Sequence, residues 1–191
     1  MKDQTRQTLI EAGRTLFITK GYDDTTMIDV AEQAKRGRRT LYYHFSSKKE
    51  LLQAVVETEL DRINHTLEAV VNKDTPAADK MVEFIVSRLN NVRHAIFRNG
   101  SLRADFSRYM RAIDSIRAKC ENREIALIER ILLEGIHEGT FHVENLHFTA
   151  QLIHYCTKGL ENPYIRGEIA GGNDTQMLQH TAHKIILGAL K

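Results

Sequence analysis

Two prolines, no tryptophan and two cysteines in 191 residues set the first limits. With only Pro76 and Pro163 as breakers, long stretches of the chain are free to stay helical. Cys120 and Cys156 lie far apart and lack CxxC spacing, which argues against a zinc ribbon or a dithiol redox pair. They read as reduced core thiols, with a single disulfide between them left open. No apolar run approaches the roughly 18–20 residues that span a bilayer. The opening Met1-Lys2-Asp3-Gln4-Thr5-Arg6 leads into no apolar signal stretch, so a cytoplasmic location is expected. There is no glycine-rich phosphate loop and no nucleophile elbow. Carboxylates are dispersed as on ordinary helix surfaces. Neither enzyme activity nor a cofactor is expected.

The composition that remains is that of a folded protein, 42% hydrophobic and 27% charged. The formal net charge of +2 hides an asymmetry. Residues 1–52 carry ten Lys/Arg against seven Asp/Glu; the remainder carries seventeen against eighteen. Lys35, Arg36, Arg38, Arg39, Lys48 and Lys49 fall within fifteen residues, with no acid among them. A basic cluster on a compact helical motif favours a polyanionic partner.

Apolar residues recur at helical spacing, and no sustained two-residue alternation suggests a strand. A first helix is expected from about Asp3 to Lys20, stopped by Gly21. Thr26 and Asp29 form a capping box for a second helix that ends near Lys35. A tight turn at Arg36-Gly37 leads to a third helix over about Arg38–His44. Ser47-Lys48-Lys49-Glu50 is a second capping box, opening a long fourth helix to about Val71. Thr75-Pro76 starts a fifth helix with proline at its first position, running to Gly100. Residues 101–138 hold a short and a long helix, ended by Gly139. Another helix spans about Asn145–Leu160 and is broken by Glu161-Asn162-Pro163. Gly171-Gly172 is a joint, and Asn173 with Gln176 caps the last helix. The expected fold is all-α: a three-helix helix-turn-helix domain over 1–50 and a larger helical domain over 51–191.

The third helix carries the functional signal. Leu41 and Phe45 are four apart and face a core, which leaves Arg38, Arg39, Thr40, Tyr43 and His44 mainly on other faces. Two arginines at the start of such a helix suit guanine O6/N7, because each guanidinium donates two parallel hydrogen bonds. At this point the segment resembles the tetracycline-repressor (TetR) family of bacterial regulators. The resemblance rests on Phe17, Gly21 and Tyr22, on Thr25, Thr26, Asp29, Val30, Ala31 and Ala34, and on Thr40-Leu41-Tyr42-Tyr43-His44-Phe45 with Lys48, Glu50, Leu51 and Leu52. It covers about residues 7–52. It implies that Thr26, Tyr42, His44 and Lys48 touch phosphates, while Gly37, Arg38, Arg39, Thr40 and Tyr43 read bases or lie beside them. The turn departs from the usual Ala-Gly-Val-Ser. Here Ala34-Lys35-Arg36-Gly37 puts lysine where the family has glycine.

The resemblance further implies that residues 51–191 sense a ligand and dimerise, through helices at about 145–160 and 173–190. Candidate pocket residues are Phe84, Phe97, Phe106, Tyr109, Met110, Ile113 and Tyr155. Charges in this region fall mostly at outward positions, so a small, mainly apolar effector is expected. The nine histidines do not read as a metal site. His180 and His183 share a face and His137, His142 and His147 are close in sequence, yet neither set is backed by cysteine or carboxylate in tight spacing. Lys2, Arg6 and Lys49 read as solvated, with a minor-groove path for Lys2 and Arg6 as the lesser alternative. The expected role is a repressor binding a palindromic operator as a homodimer, with double-stranded DNA and a small molecule as partners and no membrane. Its rivals are an all-α enzyme or carrier for an apolar metabolite, disfavoured by the basic cluster, and a sequence-indifferent architectural binder.

Overall fold

The computed structural model describes residues 2–98, 114–169 and 175–190. These residues form eight helices: α1 Lys2–Thr19, α2 Met27–Gln33, α3 Arg38–His44, α4 Lys48–Val71, α5 Ala77–Arg98, α6 Asp114–His137, α7 Leu146–Ile165 and α8 Thr175–Leu190. Among the described residues there is no strand. The chain divides into two compact units, Met1–Asp61 with Ala95–Arg117, and Arg62–His94 with Ala118–Lys191.

The first unit is held by an apolar centre. α1 packs on α2, and α2 on α3. Leu9, Ile10 and Phe17 of α1 meet Val30 and Ala31 of α2, Leu41 of α3, Phe45, and Leu51, Val55 and Val56 of α4. At Gly13 an added Cβ would stand 2.9 Å from Leu51 Cδ2, so the missing side chain is what lets α1 and α4 close. The expected capping box at α2 is present in both arms: Asp29 N–H donates to Thr26 Oγ1 at 3.2 Å, and Thr26 N–H to Asp29 Oδ2 at 2.9 Å. The second box is altered. Glu50 N–H donates to Ser47 Oγ at 3.2 Å, but the Glu50 carboxylate returns to Ser46, accepting from its N–H at 2.6 Å and its hydroxyl at 2.7 Å.

Three helices end in the same way. After α6, Gly139 N–H donates to Ile136 O and Thr140 N–H to Gly135 O, at 3.1 and 2.8 Å. After α7, Gly167 N–H donates to Tyr164 O and Glu168 N–H to Pro163 O, at 3.1 and 2.9 Å. Both are Schellman motifs with glycine in the left-handed conformation, at φ 71 and 74. After α2 the same bonds run from Lys35 N–H to Glu32 O and Arg36 N–H to Ala31 O, at 3.0 and 2.9 Å. Here the left-handed residue is Lys35, at φ 52. The helix-turn-helix turn thus keeps the geometry of a glycine turn with a side chain in place.

In the second unit the interior changes character along its length. Its apolar part includes Leu67 and Val70 of α4, Met81 and Phe84 of α5, Ile128, Ile131 and Leu132 of α6, Phe141, Ala150 of α7, and Ile186 and Leu190 of α8. Its polar part lies at the C-terminal half of α5, the middle and C-terminal half of α7 and the N-terminal half of α6. There Arg88 Nε pairs with Glu124 Oε2 at 2.8 Å, and Arg88 Nη2 with Glu161 Oε1 at 2.8 Å. His154 Nδ1 lies 3.3 Å from the same Glu124 oxygen. Lys158 pairs with Glu121, and Tyr164 OH donates to Asn90 Oδ1 at 2.6 Å. The charges expected on outer faces are therefore partly interior, because they neutralise one another there.

Several sequence expectations change for tertiary reasons. α7 does not break at Glu161–Pro163 but runs to Ile165 with Pro163 inside. Tyr164, buried and bonded to Asn90, holds that last turn, and Gly167 is the true stop. At α5 the Pro76 carbonyl already accepts from Asp79 and Lys80, so proline stands one position before the first helical residue. The free Ala77 N–H donates not to Thr75 but to the Glu138 carboxylate, at 3.1 and 3.2 Å. Cys156 is exposed and not a core thiol; Cys120 is half-buried, and no disulfide joins the two. The short helix expected after Ser101 and the Gly171-Gly172 joint lie outside the described residues.

A left-handed backbone costs an L-residue about 1–2 kcal/mol, offset in part by the extra freedom glycine has when unfolded. Lys35→Gly is therefore expected to raise the unfolding free energy by about 0.5–1 kcal/mol. Lys35→Val is expected to lower it, since branching at Cβ worsens the clash. Urea denaturation of the three proteins checks the order Gly above Lys above Val.

Candidate nucleic-acid interface

α3 presents two unlike sides. Leu41 and Phe45 are 0% and 1% exposed, and they fix the underside of the helix in the first core. Burying two such side chains contributes about 1.5–3 kcal/mol each. Arg38, Arg39, Tyr42 and Tyr43 form the outward side, at i and i+4 from one another, and all four are exposed. Tyr42 and Tyr43 are 52% and 65% exposed, which is unusual for tyrosine and gives this surface both cations and aromatic rings. Thr40 and His44 are half-buried at the margins of that side. The His44 ring meets Tyr43 edge-on at 5.2 Å. Gly37 is the N-cap of α3, with φ −67 and ψ 148, and offers no side-chain cap. Lys35 and Arg36 are exposed in the turn just before it, so five of the residues from 35 to 39 are open to solvent and four are cationic.

Thr26 is exposed at the start of α2. Its oxygen accepts from Asp29, which leaves its hydroxyl proton available to donate outward. Asp29 is held in turn by Lys20, at 2.5 Å. The Lys20 bond, with the Thr26 N–H bond behind it, pulls the Asp29 carboxyl down to about 2. A hydrogen bond from the Ser46 hydroxyl likewise holds Glu50 below the usual carboxylate range.

Lys48 is half-buried. Its ammonium donates to Tyr22 O at 2.7 Å, Thr25 O at 2.8 Å and Asp23 O at 3.1 Å. It also sits 4.5 Å from the centroid of the Tyr22 ring. An ammonium has three N–H donors, and all three are used. The residue ties the start of α4 to the loop between α1 and α2, and so fixes where Thr26 begins its helix. Sequence reading missed this because nothing in the spacing says which carbonyls lie 23 to 26 residues away. Arg6, read as solvated, is exposed, and its guanidinium lies 5.3 Å from the Phe45 ring, at the C-terminal cap of α3.

Two of the candidate pocket residues have described side chains. Phe84 is buried in the apolar part of the second unit, and Tyr155 is 53% exposed on α7. Phe106, Tyr109, Met110 and Ile113 lie outside the described residues, as does the side chain of Phe97.

A buried-faced short helix carrying arginines and tyrosines, set by a tight turn behind a capped helix, defines a helix-turn-helix protein. Residues 9–55 match the family described as bacterial regulatory proteins, tetR family. The match is confined to this segment, about a quarter of the chain. It is 32% identical over 98 residues to the biofilm operon icaADBC HTH-type negative transcriptional regulator IcaR of Staphylococcus aureus, covering 51% of this chain and 50% of the relative. It is 40% identical over 60 residues to the HTH-type transcriptional regulator YfiR of Bacillus subtilis, covering 31% and 29%. The chain thus spans about half the length, or less, of these relatives. The fold is shared more widely. A tetR-family transcriptional regulator from Pectobacterium atrosepticum superimposes with a TM-score of 0.70 at 23% identity, covering 99% of this chain and 95% of that one. The transcriptional regulator FadR from Bacillus subtilis, in complex with stearoyl-CoA, does so with a TM-score of 0.67 at 15% identity, covering 97% and 99%.

Two outcomes check this local geometry. Lys48→Met leaves three carbonyls short of a donor and is expected to cost about 1–3 kcal/mol in urea denaturation. For Asp29 the folded carboxyl titrates near 2, below its ordinary 3.8, so its contribution is complete above about pH 4 and is lost as pH falls towards 2. Asp29→Asn should remove this part of the acid sensitivity. Urea midpoints at pH 5 and pH 2.5 should converge more closely in the variant than in the native protein.

Proposed function

We propose that the chain is a one-component transcriptional repressor that binds a palindromic operator as a homodimer and is released by a small, mainly apolar effector in the cytoplasm. The observation that carries the reading is α3, with its underside locked by Leu41 and Phe45 and its outward side given to Arg38, Arg39, Tyr42 and Tyr43. Such a helix enters the major groove, where arginine reads guanine and the flanking groups hold phosphate. Gly37 and Thr40 lie beside the bases, while Thr26, Tyr42 and His44 face the backbone. Lys48 serves by positioning Thr26, and its charge adds to the field without a direct phosphate bond. The curated relative named as a negative regulator supports repression.

Dimerisation is supported by apolar side chains left outward on the last two helices. Phe148, Leu152 and Tyr155 recur on α7 at spacings of four and three, and Met177 and Ile185 are exposed on α8. A second copy would cover them, and two heads would engage two half-sites, which multiplies affinity. The second unit would hold the effector, whose affinity and that of the operator are reciprocally linked.

The test is binding to a panel of single-base operator variants, selected first from random DNA, at fixed salt. Alanine at Arg39 should cost about 1–3 kcal/mol and relax preference at one position per half-site. Arg38, nearer the turn, should matter less for sequence. Lys48→Met should weaken binding without changing the salt slope, whereas a direct phosphate contact would lower it by about one unit. Even affinity across all sequences would mean an architectural binder and would end the repressor reading. In light scattering the native chain should be a dimer at micromolar concentration, and Phe148→Asp with Leu152→Asp should make it a monomer.

A further inference from the structure

The turn before α3 carries strain for a side chain that the chain itself does not use. Lys35 stands at φ 52, where the matching turns after α6 and α7 have glycine. The two hydrogen bonds of the turn come from backbone N–H groups, so glycine would make them equally well. Nor does the Lys35 side chain find a partner nearby. Lys35, Arg36, Arg38 and Arg39 are all exposed, and none has an ion pair or a side-chain hydrogen bond among the described residues. Glu32, the acid nearest in sequence, is exposed and pairs with none of them. Exposed cations elsewhere do find acids: Lys20 pairs with Asp29 and Lys73 with Glu83, both at 2.5 Å.

Four like charges within five residues also repel one another. The turn is therefore unfavourable to the isolated chain on two counts, its backbone and its charge. Strain that stabilises nothing inside the chain points to a partner outside it, and the sign of the cluster makes that partner a polyanion.

Reach decides which part of the polyanion is met. Gly37 is extended, at φ −67 and ψ 148. Even a fully extended chain puts the Cα of Arg36 no more than about 7 Å from that of Arg38, and that of Lys35 no more than about 11 Å. The major groove is about 12 Å wide, so both turn residues stand within one groove width of any base edge that Arg38 meets. In a helix-turn-helix the first helix crosses the backbone and the second lies in the groove. The turn between them passes over the edge of the groove, where the phosphates are. A lysine ammonium meets phosphate as a point charge, and a guanidinium can donate to two of its oxygens.

We propose that Lys35 and Arg36 each hold a phosphate of the duplex backbone beside α3, outside the bases that Arg38 and Arg39 read. The proposal rests on the reading of α3 as the DNA-reading helix. It gives a role to two residues that the family resemblance does not supply, since the usual turn has glycine and valine there. Stability and DNA affinity then move in opposite directions at position 35.

The test uses the full chain with Lys35→Gly, Arg36→Gln and the two combined. Lys119→Gln, at an exposed cation of the second unit, is the charge control. Affinity for the operator selected from random DNA, and for a random duplex, is measured between about 50 and 200 mM salt, with the single-base panel at one salt. Each single substitution in the turn should lower the slope of log affinity against log salt by about 0.9, and the pair by about twice that. Raising the salt fourfold should then cost each single variant about three- to fourfold less affinity than it costs the native chain. The weakening should be equal on operator and random duplex and leave base preference as it was. Lys35→Gly should show all this while its urea midpoint rises, which separates weaker binding from weaker folding. Lys119→Gln should keep the native slope. A native slope in either turn variant would overturn that residue's contact. A slope lowered as far by Lys119→Gln, or a preference altered at one base, would overturn the phosphate assignment and leave the repressor reading standing. Lowered slopes in a chain whose native form has no sequence preference would instead end the repressor reading, and the phosphate contacts would stand.

Discussion

The burial of Leu41 and Phe45 is the constraint on which the N-terminal unit depends. Seven residues are too few to hold a helix in water, because nucleation costs more than so short a ladder returns. α3 is a helix because its underside is held in a core supplied by α1, α2 and α4. That anchoring frees the opposite side from any structural duty. It can therefore carry arginines and exposed tyrosines that would be poor choices for stability. The same division explains the turn. Lys35 sits in a conformation suited to glycine, and the structure tolerates it because the two Schellman hydrogen bonds and the packing on either side fix the chain path. A cation gained beside α3 accompanies the strain.

Lys48 and Asp29 show how polar groups support that arrangement. Neither is a core residue, yet each connects separate elements of the unit. Lys48 gathers three carbonyls of the α1–α2 loop, and Asp29 joins the N-terminus of α2 to Lys20 at the end of α1. The position of Thr26 follows from both. Charge in this unit is divided between residues that shape the loop and residues that face outward. Counting cations in the sequence does not separate the two.

The second unit works under a different balance. Its apolar part resembles any helical core. Its polar part confines Arg88, Glu124, Glu161 and His154 where each alone would be costly. Burial raises the Glu161 carboxyl, while at Glu124 the opposing push of burial is outweighed by His154 and Arg88, which hold it below the usual range. Well-packed hydrophobic residues would have served stability at least as well. This polar interior is the part of the molecule that pattern reading placed on the outside.

What the sequence determined by itself was local. The capping box at Thr26, the extent of α3, the stops at Gly21 and Gly139, and the alternation of Leu41 and Phe45 with arginines and tyrosines all act within a few residues of chain. Backbone geometry and side-chain reach therefore write them directly into the order of amino acids. The tertiary structure decided whatever needed two distant segments to meet. Glu138 caps α5 from 61 residues away, Tyr164 carries α7 past Pro163, and Arg88 finds Glu124 36 residues on. In each case the sequence shows a residue able to act, but its partner is chosen by which helix faces pack together. A helical period fixes which side of a helix is apolar; it does not say which other helix will cover that side, nor which charges will be enclosed when it does.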